Sequence, residues 1–353
     1  VYEWTFTTSN SMAGWNTQCI WTSASYCNGA AKWSKKFGGS VRLTTSGAPG
    51  GIDFWTTLPI DLQWGDMVEL TFSTEEPLHP IASLWLKIGP TESDHHIAQL
   101  EVSVDNPGTF TIYLPIYHYV FTSGVPFGLK LGVWPGTAEV YVQKIRILRC
   151  QNCAFNGQMV YQWIFNTEES MQGWSTDYKW ESNGNSVKGT AEWSEKFGGS
   201  VKLTVSGAPS SIDFWTTLPL DFQWGDVVEL TFSTEESLHP NASLWLLIGP
   251  TEPHHHLQKL EITVNSPGTF TVYLPVYHYV FTAGIPFGFH FAVWSGTAVV
   301  YIQKLRILRA CTFLNPPPAR FIRIISPNGG EMWPVGTTQE IRWESQNAGD
   351  YVK

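Results

Sequence analysis

Residues 31–90, AKWSKKFGGSVRLTTSGAPGGIDFWTTLPIDLQWGDMVELTFSTEEPLHPIASLWLKIGP, return without a gap as residues 191–250, with 48 of 60 positions identical and 12 changed. An offset of 160 residues is far too long for a solenoid repeat and is the size of a whole domain. Nearer the start the offset is 159, matching Trp4 to Trp163, Trp15 to Trp174 and Trp21 to Trp180. One residue is therefore inserted between Trp180 and Trp193, which marks that segment as a loop. The expected organisation is a first copy at 1–150, a linker at 151–160, a second copy at 161–310, a Pro-rich spacer at 311–320 and a third, truncated segment at 321–353.

Within each copy the apolar residues alternate with polar ones, and no stretch sustains a 3.6-residue period. In the first copy the alternating sets are Tyr2, Trp4 and Phe6; Val41 and Leu43; Val68, Leu70 and Phe72; Leu84, Leu86 and Ile88; Leu100, Val102 and Val104; Phe110, Ile112 and Leu114; Phe127, Leu129, Leu131 and Val133; and Val140 and Val142. The phase slips at Gln143 and Lys144 before Ile145 and Ile147, as a β-bulge would make it. About nine short strands divided by Gly, Pro, Asn and Asp turns predict an all-β chain of two tandem β-sandwiches of jelly-roll type, followed by a short C-terminal β segment.

Composition narrows the function. The chain has 21 basic and 30 acidic residues, a net charge of −9, and no basic block. That argues against nucleic acid and against an anionic membrane surface as partners. No apolar run approaches the roughly 18 residues of a membrane span. The sequence opens on Val1, which implies a removed signal or excision from a longer chain. Eighteen Trp, twenty Phe and thirteen Tyr exceed what two cores of this size require. If the alternating apolar positions face inward, Trp85, Tyr113, Trp134 and Tyr141 face outward, as do Trp245, Tyr273, Trp294 and Tyr301. A flat ring desolvates the C–H face of a pyranose while nearby polar groups bond its hydroxyls, and Lys87, Lys130, Glu69 and Glu101 are placed to supply them. Trp21, Trp33 and Trp55, with Trp180, Trp193 and Trp215, form a second cluster in loops at one end of the sandwich. In Ile52-Asp53-Phe54-Trp55 the alternation sets Asp53 outward beside Trp55, and Asp213 likewise beside Trp215. Trp4 and Trp15 read as core.

A family resemblance rests on the order of motifs. Each copy has Gly14-Trp15 or Gly173-Trp174, then Gly-Gly-Ser-Val-x-Leu, then Leu-Pro-x-Asp-x-Gln-Trp-Gly-Asp, and closes on Val-Tyr-Val-Gln-Lys-Ile-Arg-Ile-Leu (140–148) or Val-Tyr-Ile-Gln-Lys-Leu-Arg-Ile-Leu (300–308). This order resembles carbohydrate-binding modules of the galactose-binding-like jelly-roll type, which occur in tandem beside glycoside hydrolase domains. The resemblance implies a polysaccharide ligand, an extracellular location and a catalytic domain elsewhere in the parent chain. Members often carry an Asp in the last strand that helps hold a structural calcium; Gln143 and Gln303 stand there in this chain, so no cofactor is expected. The final segment, with Ser326-Pro327-Asn328-Gly329-Gly330-Glu331, Trp333 and Trp343, resembles the opening of an Ig-like domain of extracellular bacterial proteins.

The remaining chemistry-bearing residues read as structural. Asp94-His95-His96 and His254-His255-His256 place neighbours on opposite faces and have no third ligand at suitable spacing, so no metal site is expected. His118 and His278, in Leu-Pro-x-Tyr-His-Tyr turns, read as hydrogen-bonded. Asp53, Asp61, Asp66 and Glu69 are scattered, and no hydrolase, metalloprotease or phosphate-loop motif occurs, so no enzyme is expected. Cys19 and Cys27 can close a local disulfide that the second copy lacks, while Cys150, Cys153 and Cys311 lie beyond the last strands. The expected function is non-catalytic binding of a neutral β-linked polysaccharide. The rival is a structural or adhesive surface protein whose rings make protein contacts, between copies or between subunits.

Overall fold

A computed structural model describes residues 2–89, 98–118, 121–149, 157–180, 189–249, 258–278 and 281–309, and the backbone alone of 258–259, 321–326 and 342–346. The first copy is a two-layer β-sandwich. One layer has six strands: β2 (Ala30–Ser34), β3 (Ser40–Gly47), β10 (Gly136–Leu148), β5 (Met67–Thr74) and β8 (Gly108–Pro115) in that order, with β1 (Tyr2–Thr5) also pairing with β10. The other has four, in the order β4 (Gly50–Thr57), β9 (Pro126–Val133), β6 (Ala82–Ile88) and β7 (Ala98–Val102). The second copy repeats both layers. Its six-stranded sheet runs β12 (Thr190–Ser194), β13 (Ser200–Ser206), β20 (Thr297–Arg309), β15 (Val227–Thr234) and β18 (Gly268–Pro275), with β11 (Gln158–Ile164) on β20. Its four-stranded sheet runs β14 (Ser210–Thr217), β19 (Pro286–Val293), β16 (Ala242–Ile248) and β17 (Gln258–Ile262). A short hairpin, β21 (Phe321–Ser326) with β22 (Arg342–Gln346), follows.

The period-two reading accounts for the core. Val41, Leu43, Leu70, Phe72, Leu84, Leu86, Leu100, Ile112, Leu129, Leu131, Val140 and Ile145 are all fully buried between the layers. The register of β10 against β5 slips between Val142 and Lys144, at the predicted bulge, and β20 slips at the matching place. Trp4 and Trp15 close one end of this core, Trp4 stacking on Phe127 at 5.2 Å and Trp15 on Phe54 at 4.5 Å. In the β2–β3 turn Gly39 has φ +105°, and a Cβ there would lie 2.7 Å from the Thr7 Cα, so the Gly-Gly-Ser motif answers both a left-handed turn and a close chain crossing.

The two copies pack on each other edge to edge. Strand β7 lies against β17 and β8 against β18, so like layers adjoin. The contacts come in exchanged pairs. Ser103 N donates to Tyr277 O at 3.0 Å, and Thr263 N to Tyr117 O at 2.9 Å. Trp64 Nε1 donates to Thr263 O at 3.1 Å, and Trp224 Nε1 to Ser103 O at 3.2 Å. Tyr113 N donates to Tyr277 Oη at 3.2 Å, and Tyr273 N to Tyr117 Oη at 2.9 Å. Trp64 meets Phe270 at 5.5 Å and Trp224 meets Phe110 at 5.6 Å. His118 Nε2 lies 3.7 Å from Glu261 Oε1, and His278 Nε2 lies 3.9 Å from Glu101 Oε1, all four side chains at or near complete burial. Moving one partner of each contact forward by 160 residues and the other back by 160 yields the twin. That is the pattern of an isologous interface, so a pseudo-two-fold axis relates the copies.

Burial pushes the Tyr117 and Tyr277 hydroxyls well above the usual tyrosine range, so both stay protonated while they bridge to the opposite edge strand. Removing them in Tyr117→Phe/Tyr277→Phe leaves two interface amides without acceptors, each worth about 1–3 kcal/mol. The double variant is expected to melt several degrees lower by calorimetry with near-unchanged far-UV circular dichroism; an unchanged melting temperature would show that the hydroxyls contribute nothing to the contact.

Candidate functional site

The outer face of the four-stranded sheet is the candidate site, because pairing register brings the singled-out residues into rows across it. One row of the first copy reads Asp53, Lys130, Trp85 and Glu101, contributed by β4, β9, β6 and β7. The equivalent row of the second copy reads Asp213, His290, Trp245 and Glu261. A neighbouring row holds Trp55, Gly128, Lys87 and Gln99, and another Gly51, Gly132 and Ser83.

Asp53 does not stand free beside Trp55 as its alternation suggested. It is fully buried, and one carboxylate oxygen accepts from the amides of Ile20, Trp21 and Thr22 at 2.6–2.9 Å while the other accepts from Thr22 Oγ1 at 2.7 Å. The reason is the 16–28 segment, which crosses this end of the sheet. Its course is fixed by the Asn16–Trp55 and Cys27–Gly51 bridges and by the Cys19–Cys27 disulfide that the sequence suggested. An outward carboxylate beneath a loop is most stable capping that loop's amides. Asp213 plays the same part, accepting from Lys179 N and Trp180 N and pairing with His290 Nδ1 at 2.7 Å. Burial by itself would raise the Asp213 carboxyl, but the His290 hydrogen bond and charge, with the two amides, hold it below the usual carboxylate range.

The loop tryptophans bond to backbone. Trp21 Nε1 donates to Gly89 O at 3.1 Å and Trp180 Nε1 to Gly249 O at 2.9 Å. Trp55 and Trp215 donate to Gln18 O and Asp177 O, both at 2.7 Å. Trp33 and Trp193 prove to be on strands β2 and β12 rather than in loops, opposite the core residues Val41 and Val201, and they donate to Phe6 O and Phe165 O. All six remain half-buried. Several expected sugar-bonding groups are used within the fold. Lys87 is 1% exposed beneath the Trp21 ring, Glu69 is buried against Lys144 and Arg146, and Glu101 faces the other copy. Tyr113 and Tyr273 lie on the edge strands β8 and β18, where the opposite copy's tyrosines engage their amides. Tyr141, at 1% exposed, is covered by Phe37 and bonded to Glu75 and Glu139.

The middle of the sheet carries half-exposed rings. Trp85 and Trp134 are half-exposed, with rings 5.8 Å apart and inclined at 62°, and the Lys130 ammonium lies 5.4 Å from the Trp85 ring centre. The Trp85 ring extends over Gly132, where a Cβ would come within 2.9 Å of it. The second copy has Trp245 and Trp294 at 5.8 Å and 55°, with the His290 ring 5.4 Å from Trp245. Ala292 there supplies the methyl that Gly132 lacks, and Trp245 is only 6% exposed.

Three features escaped the sequence reading. Trp64 and Trp224 sat inside the Gln-Trp-Gly-Asp motif without a role and prove to be interface donors; an aromatic in a polar turn just before a strand was the available signal. Tyr117 and Tyr277 were seen only as neighbours of the turn histidines. Phe37 is 42% exposed at φ +58°, and Phe197 repeats it at +59°, a left-handed conformation uncommon for a bulky residue; nothing in the local sequence except the following Gly-Gly marks it. The His95–His96 and His254–His256 clusters and Cys150, Cys153 and Cys311 lie outside the described residues. At the expected calcium position, Gln143 Nε2 donates to Ser73 Oγ at 2.6 Å and Gln303 Nε2 to Ser233 Oγ at 3.0 Å. No group of three or more metal-binding side chains occurs among the described residues, and no described helix is long and apolar enough to cross a membrane.

No protein-family model and no curated protein matches the chain. Among solved structures, it is similar to the CBM22-1–CBM22-2 tandem domain of Paenibacillus barcinonensis Xyn10C, at 12% identity and TM-score 0.29 over 87% of this chain and 96% of that one. It is also similar to the family 11 carbohydrate-binding module of the Clostridium thermocellum cellulase Lic26A-Cel5E, at 13% identity and TM-score 0.30 over 44% of this chain and 96% of that one. A third is a non-crystalline cellulose-specific module, CBM28, at 17% identity and TM-score 0.30 over 44% and 97%.

Two predictions test the site's scaffold. Asp53→Asn removes the charge that holds three amides and is expected to destabilise the first copy by about 2–3 kcal/mol in urea unfolding, with faster hydrogen exchange at Ile20, Trp21 and Thr22; unchanged exchange there would remove Asp53 from the role. Because the Asp213 carboxyl is held low, its contribution is complete above its unfolded value of about 3.9 and is lost as pH falls through its lower folded value. Stability of the wild type should therefore drop below about pH 4, and Asp213→Asn should show a shallower decline over that interval in pH-dependent melts.

Proposed function

We propose that this protein binds neutral polysaccharide without catalysis, through a Trp85–Trp134 platform in the first copy and a Trp245–Trp294 platform in the second. The observation that carries the reading is the pair of half-exposed, mutually inclined indoles of Trp85 and Trp134 on the outer face of the four-stranded sheet. Such rings desolvate the C–H face of a pyranose, while Lys130 or His290 beside them bonds hydroxyls. Trp55 and Trp215, half-exposed at the sheet's far edge, extend the same face. The net charge of −9 and the absence of a basic run in the sequence favour neutral β-linked glycans such as glucans or mannans. The reading needs no cofactor, and the four candidate acids are engaged in the fold: Asp53 with amides, Asp61 with the Ser123 amide, Asp66 with Arg149, and Glu69 with Lys144 and Arg146. Secretion, and a glycoside hydrolase in the same parent chain, complete the proposal.

The structural alternative has one observation in its favour, since Trp64, Tyr113 and Tyr117 and their counterparts do serve contact between copies. It leaves the Trp85–Trp134 pair without a use. Affinity electrophoresis of the full chain against barley β-glucan, xyloglucan, glucomannan, galactomannan and an acidic pectin separates the two. Retardation by a neutral glycan, reduced at least tenfold in apparent affinity by Trp85→Ala/Trp245→Ala with the far-UV circular dichroism preserved, is the expected result. Absence of retardation by every glycan, together with self-association in solution, would replace this reading with the structural one.

A further inference from the structure

The two platforms are held in a fixed relation, and that relation restricts the ligand. Strand β7 meets β17 and β8 meets β18, so the four-stranded sheets of the two copies adjoin as one layer and their outer faces look the same way. An axis along the strands would instead have set a four-stranded sheet against a six-stranded one. The pseudo-two-fold axis therefore stands across the sheet layer, and it reverses every direction within that layer. From β6 through β7 and β17 to β16, the residue order is Trp85, Glu101, then Glu261, Trp245, a palindrome about the axis. The platforms are separated by three strand steps, on the order of 15 Å or more.

A polysaccharide chain has a reducing and a non-reducing end and no two-fold symmetry. A chain that enters the Trp85 platform in one direction would reach the Trp245 platform, if it continued straight, in the direction opposite to the one that platform accepts. Resting on the proposed glycan-binding function, we infer that the two platforms hold two polysaccharide segments running antiparallel, so that one protein molecule cross-bridges chains instead of gripping one chain twice. A flexible pair of modules would adopt either arrangement. The exchanged hydrogen bonds of Ser103, Thr263, Trp64, Trp224, Tyr117 and Tyr277 remove that freedom.

The full chain is titrated by calorimetry with oligosaccharides of about three to twelve sugars cut from the neutral glycan that retards it most in the electrophoretic panel, and light scattering is recorded when it is added to that polysaccharide in dilute solution. Antiparallel cross-bridging predicts two oligosaccharides per protein at every length, with affinity that stops rising once one platform is filled. It also predicts a several-fold rise in polysaccharide scattering that Trp85→Ala and Trp245→Ala each abolish, while each still binds one oligosaccharide. A fall to one oligosaccharide per protein, with a second affinity rise of tenfold or more once the oligosaccharide spans both platforms, would overturn the inference while leaving glycan binding intact. So would two-site oligosaccharide binding without a scattering rise. If no glycan binds at all, the functional proposal and this inference fail together, an outcome distinct from single-chain bridging.

Discussion

An exposed sheet edge is the constraint on which this structure turns. Strands β7 and β17 end their four-stranded sheets, and an open edge of that kind presents unpaired amides and carbonyls to any extended chain. Each abuts the other copy just past its last residue, through Ser103 N to Tyr277 O and Thr263 N to Tyr117 O, with the Trp64 and Trp224 indoles donating and the Tyr117 and Tyr277 hydroxyls accepting on both sides. The closure is reciprocal, so neither copy caps the other without being capped. It also orients the two outer faces together and commits a share of the aromatic surplus to holding the copies in place.

The opposite edge of the same sheet is closed by different means. The 16–28 segment folds over β4, and the buried Asp53 gathers its amides where an unpaired carboxylate would be costly to bury. In the second copy Asp213 does this with His290 as an added partner. With a loop at one side and a sister copy at the other, the outer face is narrowed to the strip around β9 and β6. Platform geometry is thus set by the two closures more than by the rings themselves.

The layers, the core and the bulge at Gln143 were legible because period-two alternation is imposed directly by the pleat, and the inward positions are buried as read except Tyr2, 40% exposed at the start of β1, and Trp4 and Phe110, which are half-buried. The same logic identified which residues leave the core but could not say what covers them. Asp53, Lys87, Tyr113 and Tyr141 all point outward as expected and are all buried, under a loop, an indole, the other copy and Phe37 respectively. Coverage is decided by segments distant in sequence, and periodicity carries no information about those. Trp85 and Trp134 face outward by the same alternation, and they differ from the rest in staying half-exposed. Two of the twelve substitutions between 31–90 and 191–250, Lys87 to Leu247 and Gly51 to Ser211, were visible in the sequence, yet only the paired strands show that both fall on this face.

The pattern of divergence between copies follows from the symmetry. An isologous contact uses each position twice, once from each copy, so a change in one copy alters one half of the interface and unbalances the pair. The interface side chains Trp64 and Trp224, Tyr117 and Tyr277, His118 and His278, and Glu101 and Glu261 are accordingly the same in both copies, while Ser103 and Thr263, which differ, contribute backbone groups. The Trp85 and Trp245 faces carry no such coupling, because on the proposed reading a ligand on one does not touch the other. Lys130 becomes His290, Gly132 becomes Ala292 and Ile81, whose carbonyl holds the Trp134 amide, becomes Asn241. Each change alters the polarity or depth of one outer face without disturbing the closure, so under the proposed function the two faces are free to differ in preference on a frame that cannot.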